Sequence, residues 1–332
     1  MAFLQWALPR LRLRWPGFRK VRRQVHKRID RRIAELGLAE ISDYRAHLES
    51  HPREWPVLDA FCRISISRFY RDWGVIDYLG ETGLPHLART VVARGEKEIR
   101  VWCAGCASGE EPYTLAILWK MSVLPQFPDI RLRQVATDVD GQMLDRARRA
   151  HFQASSLKDV PPDWLDTALT RCGDDYVLRP EFAAEIDFRR QDIRTELPDG
   201  SFHLIACRNL VCTYFDEELQ RETLRRIVAK AAPDGILVVG RNETPPEEAG
   251  QFLHYVRPGV YRISTEPPPR VEPEEFAEST RSNEESSDSL VCMQDNVSVS
   301  ADDPRCLHPS SYCRMREFCE VIEAVRKRRR SK

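Results

Sequence analysis

Hydrophobic and polar positions alternate along the chain in a way that predicts strands and helices in turn. Ile99 to Cys103 is a short apolar run with a charged flank, the pattern of a buried strand. A loop of small residues follows, Cys103 to Gly109, and then Glu110 and Glu111 open an apolar-periodic helix over Pro112 to Met121. Arg133 to Asp140, RQVATDVD, reads as a second strand ending in acid, and GQMLDRARRAHF as an amphipathic helix after it. Tyr176 to Leu178 and Ile186 to Arg190 alternate as short strands, and Phe202 to Cys207 has a buried-strand pattern. Glu217 to Ala232 predicts a helix stopped by Pro233-Asp234-Gly235, with Gly235 to Gly240 as the next strand. Upstream, Ile41, Tyr44 and Leu48 have helical spacing, and Asp77 to Gly95 reads as a helix and connector. Strands alternating with helices predict an α/β fold with a Rossmann-like sheet, preceded by a small helical domain.

The loop after the first strand carries the first chemical signal. Small residues there let backbone approach a ligand, and a helix start offers unpaired N–H groups. On its own this is also an ordinary strand-to-helix turn. An acidic residue ending the second strand of such a sheet accepts from ribose hydroxyls, and Asp138 stands in that place. The phosphate spacing G-x-G-x-x-G is absent, and Glu110 and Glu111 would repel a pyrophosphate but attract ammonium or sulfonium. S-adenosylmethionine, with ribose and two cationic centres but no phosphate, therefore fits better than NAD or ATP.

Several motifs agree in order: AGCASGEEPYT, ATDVD, the CRN of Cys207 to Asn209, the YFD of Tyr214 to Asp216 and the GRNE of Gly240 to Glu243. Together with LGLAEISDYRAHLES (Leu36 to Ser50) and SRFYRD (Ser67 to Asp72), they make the chain resemble the CheR family of S-adenosylmethionine-dependent methyltransferases from Arg28 to Ser264. Members of that family esterify glutamates on chemoreceptors. The resemblance implies that Ser67 and Arg71, in a segment matching Thr-x-Phe-Phe-Arg, contact the methyl donor, with Arg71 beside the transferred methyl. Ser65 stands where the family usually has Asn. Asp192 and Ile193 match an Asn-Leu pair that cradles adenine, and Arg208 and Asn209 fall at the floor of the donor pocket. CRNLVCTYFD holds one residue more than usual between Asn and Tyr, so Tyr214 is the candidate to orient the acceptor, with Thr213 taking its place if no gap is made. The family's small antiparallel insert, which helps hold receptors, is expected here at most in reduced form.

The chemistry implied needs no strong base, because an acceptor carboxylate with a pKa of about 4.3 is already ionised near neutral pH. The requirement is alignment, dehydration and charge pairing. Arg71 is assigned to charge pairing, Tyr214 to hydrogen-bonded orientation, Glu111 or Glu110 to the donor's cationic end, and Asp138 to the ribose. Two alternatives stay open: a methyltransferase of the same fold acting on a small molecule or another protein, and a non-catalytic donor-binding regulatory module.

Charge and composition add the rest. The chain's 332 residues carry 51 basic and 51 acidic side chains, unevenly placed. Arg10 to Arg32 holds eleven Arg or Lys and one acid, which predicts a basic helical arm over residues 1–34. The usual fate of such a run is a solvated face. The sharper reading is a docking surface for an acidic protein such as a chemoreceptor-like helix. An anionic membrane or nucleic acid would match equally by sequence alone, and protein ranks first through the resemblance. The expected division continues with an α-helical domain over 35–80, the donor-binding domain over 81–265, a disordered acidic linker over 266–303 and a Cys-containing basic tail over 304–332. In that tail Cys306, Cys313 and Cys319, joined by Cys292 or His308, are candidates to bind zinc or an iron–sulfur cluster, against free or disulfide-forming thiols, and their spacing matches no C-x-x-C template. MAFLQWALPRLRLRW is too short and too often interrupted by Arg to span a bilayer, so no integral membrane segment is expected, and a reducing cytoplasm is the expected setting.

Overall fold

A computed structural model describes residues 2–264, together with two short strands further on. Five helices come first: α1 (Ala2–Ala7), α2 (Trp15–Phe18), α3 (Arg22–Glu35), α4 (Ile41–Ser50) and α5 (Trp55–Phe61). Val25, Ile29 and Ile33, four residues apart, form one buried stripe of α3, and they pack with Tyr44, Leu48 and Leu58. The same cluster takes in Phe3, Leu4, Leu8 and Phe18, so residues 1–34 share a core with α4 and α5, whereas Phe69, Val75, Ile76 and Leu79 join the cluster on the other face of the sheet's first strand. Glu40 and Asp43 form a reciprocal cap at the start of α4.

Beyond α6 (Trp73–Tyr78) and α7 (Leu84–Ala93), the chain builds a seven-stranded sheet. It contains β1 (Glu98–Ala104) and β2 (Arg131–Asp138), separated by α8 (Glu110–Leu118). After α9 (Gly141–Arg149) come β3 (His151–Gln153), α10 (Pro162–Ala168), β4 (Leu169–Cys172) and β5 (Asp175–Leu178). The main sheet resumes with β6 (Ile186–Arg190), β7 (Phe202–Ala206), α11 (Val211–Tyr214), α12 (Glu217–Val228) and β8 (Ala231–Val238). It ends with β9 (Leu253–Arg257) and β10 (Val260–Ile263).

The spatial order is β6-β2-β1-β7-β8-β10-β9, parallel from β6 to β8 and antiparallel for the last two. Strand order reverses between β1 and β7. In an open α/β sheet, this is where a crevice forms beyond the carboxyl ends. Every residue of β7 is buried, including His203, whose Nδ1 accepts from the Arg100 amide over 3.0 Å.

Three local expectations are revised. The two short strands following Cys172 join different sheets: β5 pairs with β3 and β4 in a separate three-stranded antiparallel sheet, whereas β6 is the parallel edge beside β2. The insert is therefore present in small form. The helix expected to reach Ala232 stops at Val228, and β8 already begins at Ala231. Pro233-Asp234-Gly235 is an irregularity inside that strand, between the pairs Phe202↔Ala231 and Leu204↔Ile236, with Asp234 at φ 60°.

Residues 270–332 form a second unit. Its described parts are β11 (Ser289–Cys292) and β12 (Val297–Ser300), which pair antiparallel within the stretch read as an acidic linker. The tail cysteines Cys306, Cys313 and Cys319 lie outside the described residues. Among those described, no helix is long and apolar enough to cross a membrane.

Candidate functional site

The loops at the carboxyl ends of β1, β2, β6 and β7, with the segment joining α5 to α6, border a cleft of about 1130 Å³ with the open solvent at its mouth included. Its lining includes Ser65, Ser67, Arg71, Glu111, Asp138, Asp192, Ile193, Arg208, Asn209 and Tyr214. Residues far apart in the chain converge there because each of the four loops leaves the sheet on the same side.

After β1 the backbone turns sharply. The amides of Gly105 and Cys106 both donate to the Thr137 carbonyl, over 2.8 and 3.0 Å. Gly105 has φ 74°, and a Cβ there would lie 2.6 Å from Leu210, so only glycine fits without a shift. The Ala107 amide then donates to Asp138 Oδ2 over 2.9 Å, and the Asp140 amide to Oδ1 over 2.9 Å. These donors fix the Asp138 carboxylate at the rim. Burial raises its pKa, and the two amides offset only part of that rise.

Glu110 and Glu111 part company at the start of α8, since successive helical residues point about 100° apart. Glu110 is 2% exposed, takes the Ser108 hydroxyl at 2.9 Å and does not line the cleft. Of the two residues expected at the donor's cationic end, Glu111 lines the cleft and Glu110 does not. Glu111 meets Arg208, whose Nη1 donates to Oε2 over 3.0 Å. Arg208 Nη2 also reaches Asp72 over 3.0 Å and the Arg71 carbonyl over 2.6 Å. Burial raises the pKa of Glu111 against the pull of Arg208, while the two carboxylates hold Arg208 charged despite its burial.

Arg71 is fixed by a 2.8 Å bond from Nη1 to the Ile66 carbonyl. Burial and the neighbouring Arg208 lower its pKa, yet a guanidinium stays charged throughout the working range. Asp72, the local acid next to it in sequence, serves Arg208 instead. Tyr214 faces the cleft, and burial raises its pKa, so the phenol keeps its proton. Thr213 does not line the cleft; its hydroxyl donates to Glu243 Oε1 over 2.5 Å. Of the two candidates, Tyr214 lines the cleft and Thr213 does not.

Asp192 is held by Arg194, with Nε and Nη2 at 3.0 and 2.7 Å, and Arg194 in turn forks onto Asp59 at 2.7 and 2.8 Å. Burial pushes the Asp192 pKa up, but these hydrogen bonds outweigh it and bring it down. Sequence reasoning missed Asp59, Arg63, Gln191, Arg194 and the use of Asp72. Glu243 was visible within GRNE, but with no role attached to it.

Several polar atoms in or next to this lining are buried with no partner among the described residues: Asn209 Oδ1, Gln191 Oε1, Arg63 Nε and Arg208 Nε. Unmet acceptors and donors in a concave, partly apolar cleft ask for a polar ligand. S-adenosylmethionine fits the cleft as a whole, with Asn209 Oδ1 the unpartnered acceptor among the groups it would meet. Its ribose diol suits Asp138, its amino group suits Asn209 and Glu111, its carboxylate suits an arginine, and its adenine suits the Asp192–Ile193 end. It carries no phosphate to meet Glu111.

Comparison with known proteins points the same way. Residues 65–257 match the family model described as CheR methyltransferase, SAM binding domain. The chain is 31% identical over 223 residues to a chemotaxis protein methyltransferase of Listeria monocytogenes, covering 66% of this chain and 80% of that one. Its identity to the Escherichia coli protein of the same description is 31% over 230 residues, covering 67% and 76%. With the Borreliella burgdorferi counterpart it is 26% over 243 residues, covering 72% and 85%.

Proposed function

The chain belongs to the CheR methyltransferase family, a family of S-adenosylmethionine-dependent enzymes, and from that premise we propose that it forms methyl esters on glutamate side chains of a chemoreceptor-like protein. The observation that carries this reading is the convergence of Asp138, Glu111 and Asn209 with Arg71 and Tyr214 on one cleft whose described lining contains no histidine. When bound, S-adenosylmethionine would supply an electrophilic methyl group on a sulfonium, whose bond to sulfur breaks as the ester bond forms, with neutral S-adenosylhomocysteine as the leaving group.

The chain's own residues do the remaining work. Asp138 accepts from the ribose, Asn209 Oδ1 and Glu111 hold the cationic end, and the Gly105–Ala107 turn gives close backbone approach. Arg71 pairs with the incoming glutamate carboxylate, and the neutral phenol of Tyr214 donates to one of its oxygens, leaving the other to attack. No proton has to leave the acceptor, so no general base is required. Both groups also exclude water from the carboxylate.

The exposed basic residues Arg19, Lys20, Arg23, Lys27 and Arg31 on and beside α3 suit an acidic helix as acceptor. The proposed compartment is the cytoplasm, whose reducing conditions keep the buried thiols of Cys103, Cys106, Cys207 and Cys212 free.

The test is transfer of radiolabelled methyl to receptor signalling fragments, followed by alkaline release of methanol. Label lost as methanol supports the ester. Alkali-stable label, or label on small molecules only, supports the alternative acceptors. Donor binding with no transfer to any acceptor in cell extract supports a binding module.

A further inference from the structure

Glu243 lies behind the cleft, 8% exposed, and its carboxylate draws three donors together. Oε2 accepts from the Asn209 amide over 2.7 Å and from the Gly240 amide over 2.6 Å. Oε1 accepts from the Thr213 hydroxyl over 2.5 Å. The Glu243 amide donates to the Gly240 carbonyl over 2.8 Å and closes the turn that presents the side chain. No arginine, lysine or histidine pairs with it among the described salt bridges. Burying a carboxylate this way is unfavourable unless fixed donors replace its water, and here two amides and a hydroxyl do so.

The donors belong to one functional segment. Asn209 adopts φ 54°, a conformation a side-chain-bearing residue rarely takes, and its amide is pinned by Glu243 in that state. The pinned backbone leaves Asn209 Oδ1 buried and unpartnered in the cleft lining. Four residues on, Thr213 is the last residue before Tyr214, so the hydroxyl held by Glu243 sets the turn from which the phenol reaches the cleft. The space between the two loops is closed: a Cβ on Gly240 would lie 2.4 Å from Asn209 Nδ2 and 2.7 Å from Glu243 Oε2.

We infer that Glu243 is a positioning residue that acts on both halves of the reaction, aiming Asn209 at the methyl donor and Tyr214 at the acceptor. The inference rests on the function proposed above for the acceptor half only, because the donor half is read by binding alone. A structural role would move stability, whereas a positioning role moves affinity and turnover separately.

The experiment compares Glu243→Ala, Glu243→Gln and Thr213→Val in the full chain. It reads S-adenosylhomocysteine affinity by calorimetry, ester formation, melting temperature, and hydrogen exchange of the 208–214 peptide without ligand. Loss of a buried bond to a charged group corresponds to at least about tenfold, so Glu243→Ala weakens affinity and lowers kcat by that factor each and speeds exchange. Glu243→Gln keeps acceptors for the two amides and recovers affinity to within about threefold, while Thr213→Val lowers kcat and leaves affinity within about twofold. A folded Glu243→Ala with unchanged affinity and kcat overturns the inference, even if it melts earlier. Should that variant not fold, a folded Thr213→Val with unaltered kcat, together with a folded Glu243→Gln that loses as much affinity as Asn209→Ala, overturns it equally. If the wild type binds S-adenosylhomocysteine but makes no ester, the proposed reaction fails, and the affinity and exchange results still decide the donor half.

Discussion

The amide of Arg14 donates to the carbonyl of Tyr214 over 2.8 Å. The guanidinium of Arg14 also reaches the carbonyls of Thr213, over 3.2 Å, and Cys212. Leu13 bridges Phe215, and the Asp216 amide donates to the Arg12 carbonyl over 2.9 Å. The Phe18 ring meets that of Tyr214 with centroids 5.0 Å apart. The beginning of the chain is thus a wall of the catalytic cleft, and Leu13 itself lines it.

Replacing Arg14 by Ala therefore strands two carbonyls and should reduce stability by about 1.5–3 kcal/mol. Gly17→Ala would place a Cβ 2.2 Å from the Thr213 carbonyl oxygen and should cost about 1–3 kcal/mol through the forced shift. Urea unfolding checks both, and both variants should lower kcat more than donor affinity, because Tyr214 is the residue proposed to orient the acceptor.

Asp138→Ala should weaken S-adenosylhomocysteine binding roughly 10- to 100-fold, the equivalent of about 1.5–3 kcal/mol for hydrogen bonds to a charged group. Glu110→Gln should leave that affinity within about twofold, since its carboxylate is turned to Ser108 and away from the cleft. Calorimetry with the two variants side by side measures the difference.

Arg194 ties α5 to the loop after β6 through Asp59 and Asp192. With Arg194→Met the two carboxylates lose their shared cation. The pair is partly exposed, so the expected loss is about 2 kcal/mol, between the surface and buried limits. Adding Asp59→Asn and Asp192→Asn to the same chain should restore most of it, which thermal unfolding of the single and triple variants would reveal.

Acid should loosen the helical part through Glu54. Arg32 Nε and Nη2 fork onto its oxygens at 2.8 and 2.9 Å, and Tyr44 donates to Oε1 over 3.0 Å. The Arg32 hydrogen bonds pull the Glu54 pKa below its ordinary 4.5, against the opposing effect of burial. The unfolded chain binds the proton more readily, so this stabilisation is complete above pH 4.5 and is lost as pH falls through the lowered folded value. Urea midpoints taken from pH 7 down to pH 3 should fall less steeply in Glu54→Gln than in the wild type.

Much of the donor half of the site was legible without coordinates. A turn of small residues after β1, an acid ending β2 and a polar pair after β7 each follow from local rules of strand, turn and helix start. Those rules act over a few residues and survive any change elsewhere. They also placed Ile99–Cys103 and Phe202–Cys207 as strands of a buried sheet, because runs dominated by apolar residues, interrupted only by Arg100 and His203, have one stable destination in a parallel sheet.

Local rules could not divide Glu110 from Glu111, send Tyr214 to the cleft and Thr213 to Glu243, or turn Asp72 from Arg71 to Arg208. Each of these outcomes depends on what packs against the residue from elsewhere in the chain. The basic beginning read naturally as a solvated arm. It became the back wall of Tyr214 because the buried face of the same helices holds Leu4, Leu8, Phe18 and Val25. Period and turn chemistry are properties of neighbours in sequence, so the chain alone determined the sheet and the place of its crevice. Pairing of charges and the aim of side chains are properties of neighbours in space, and only the closed tertiary structure decided those.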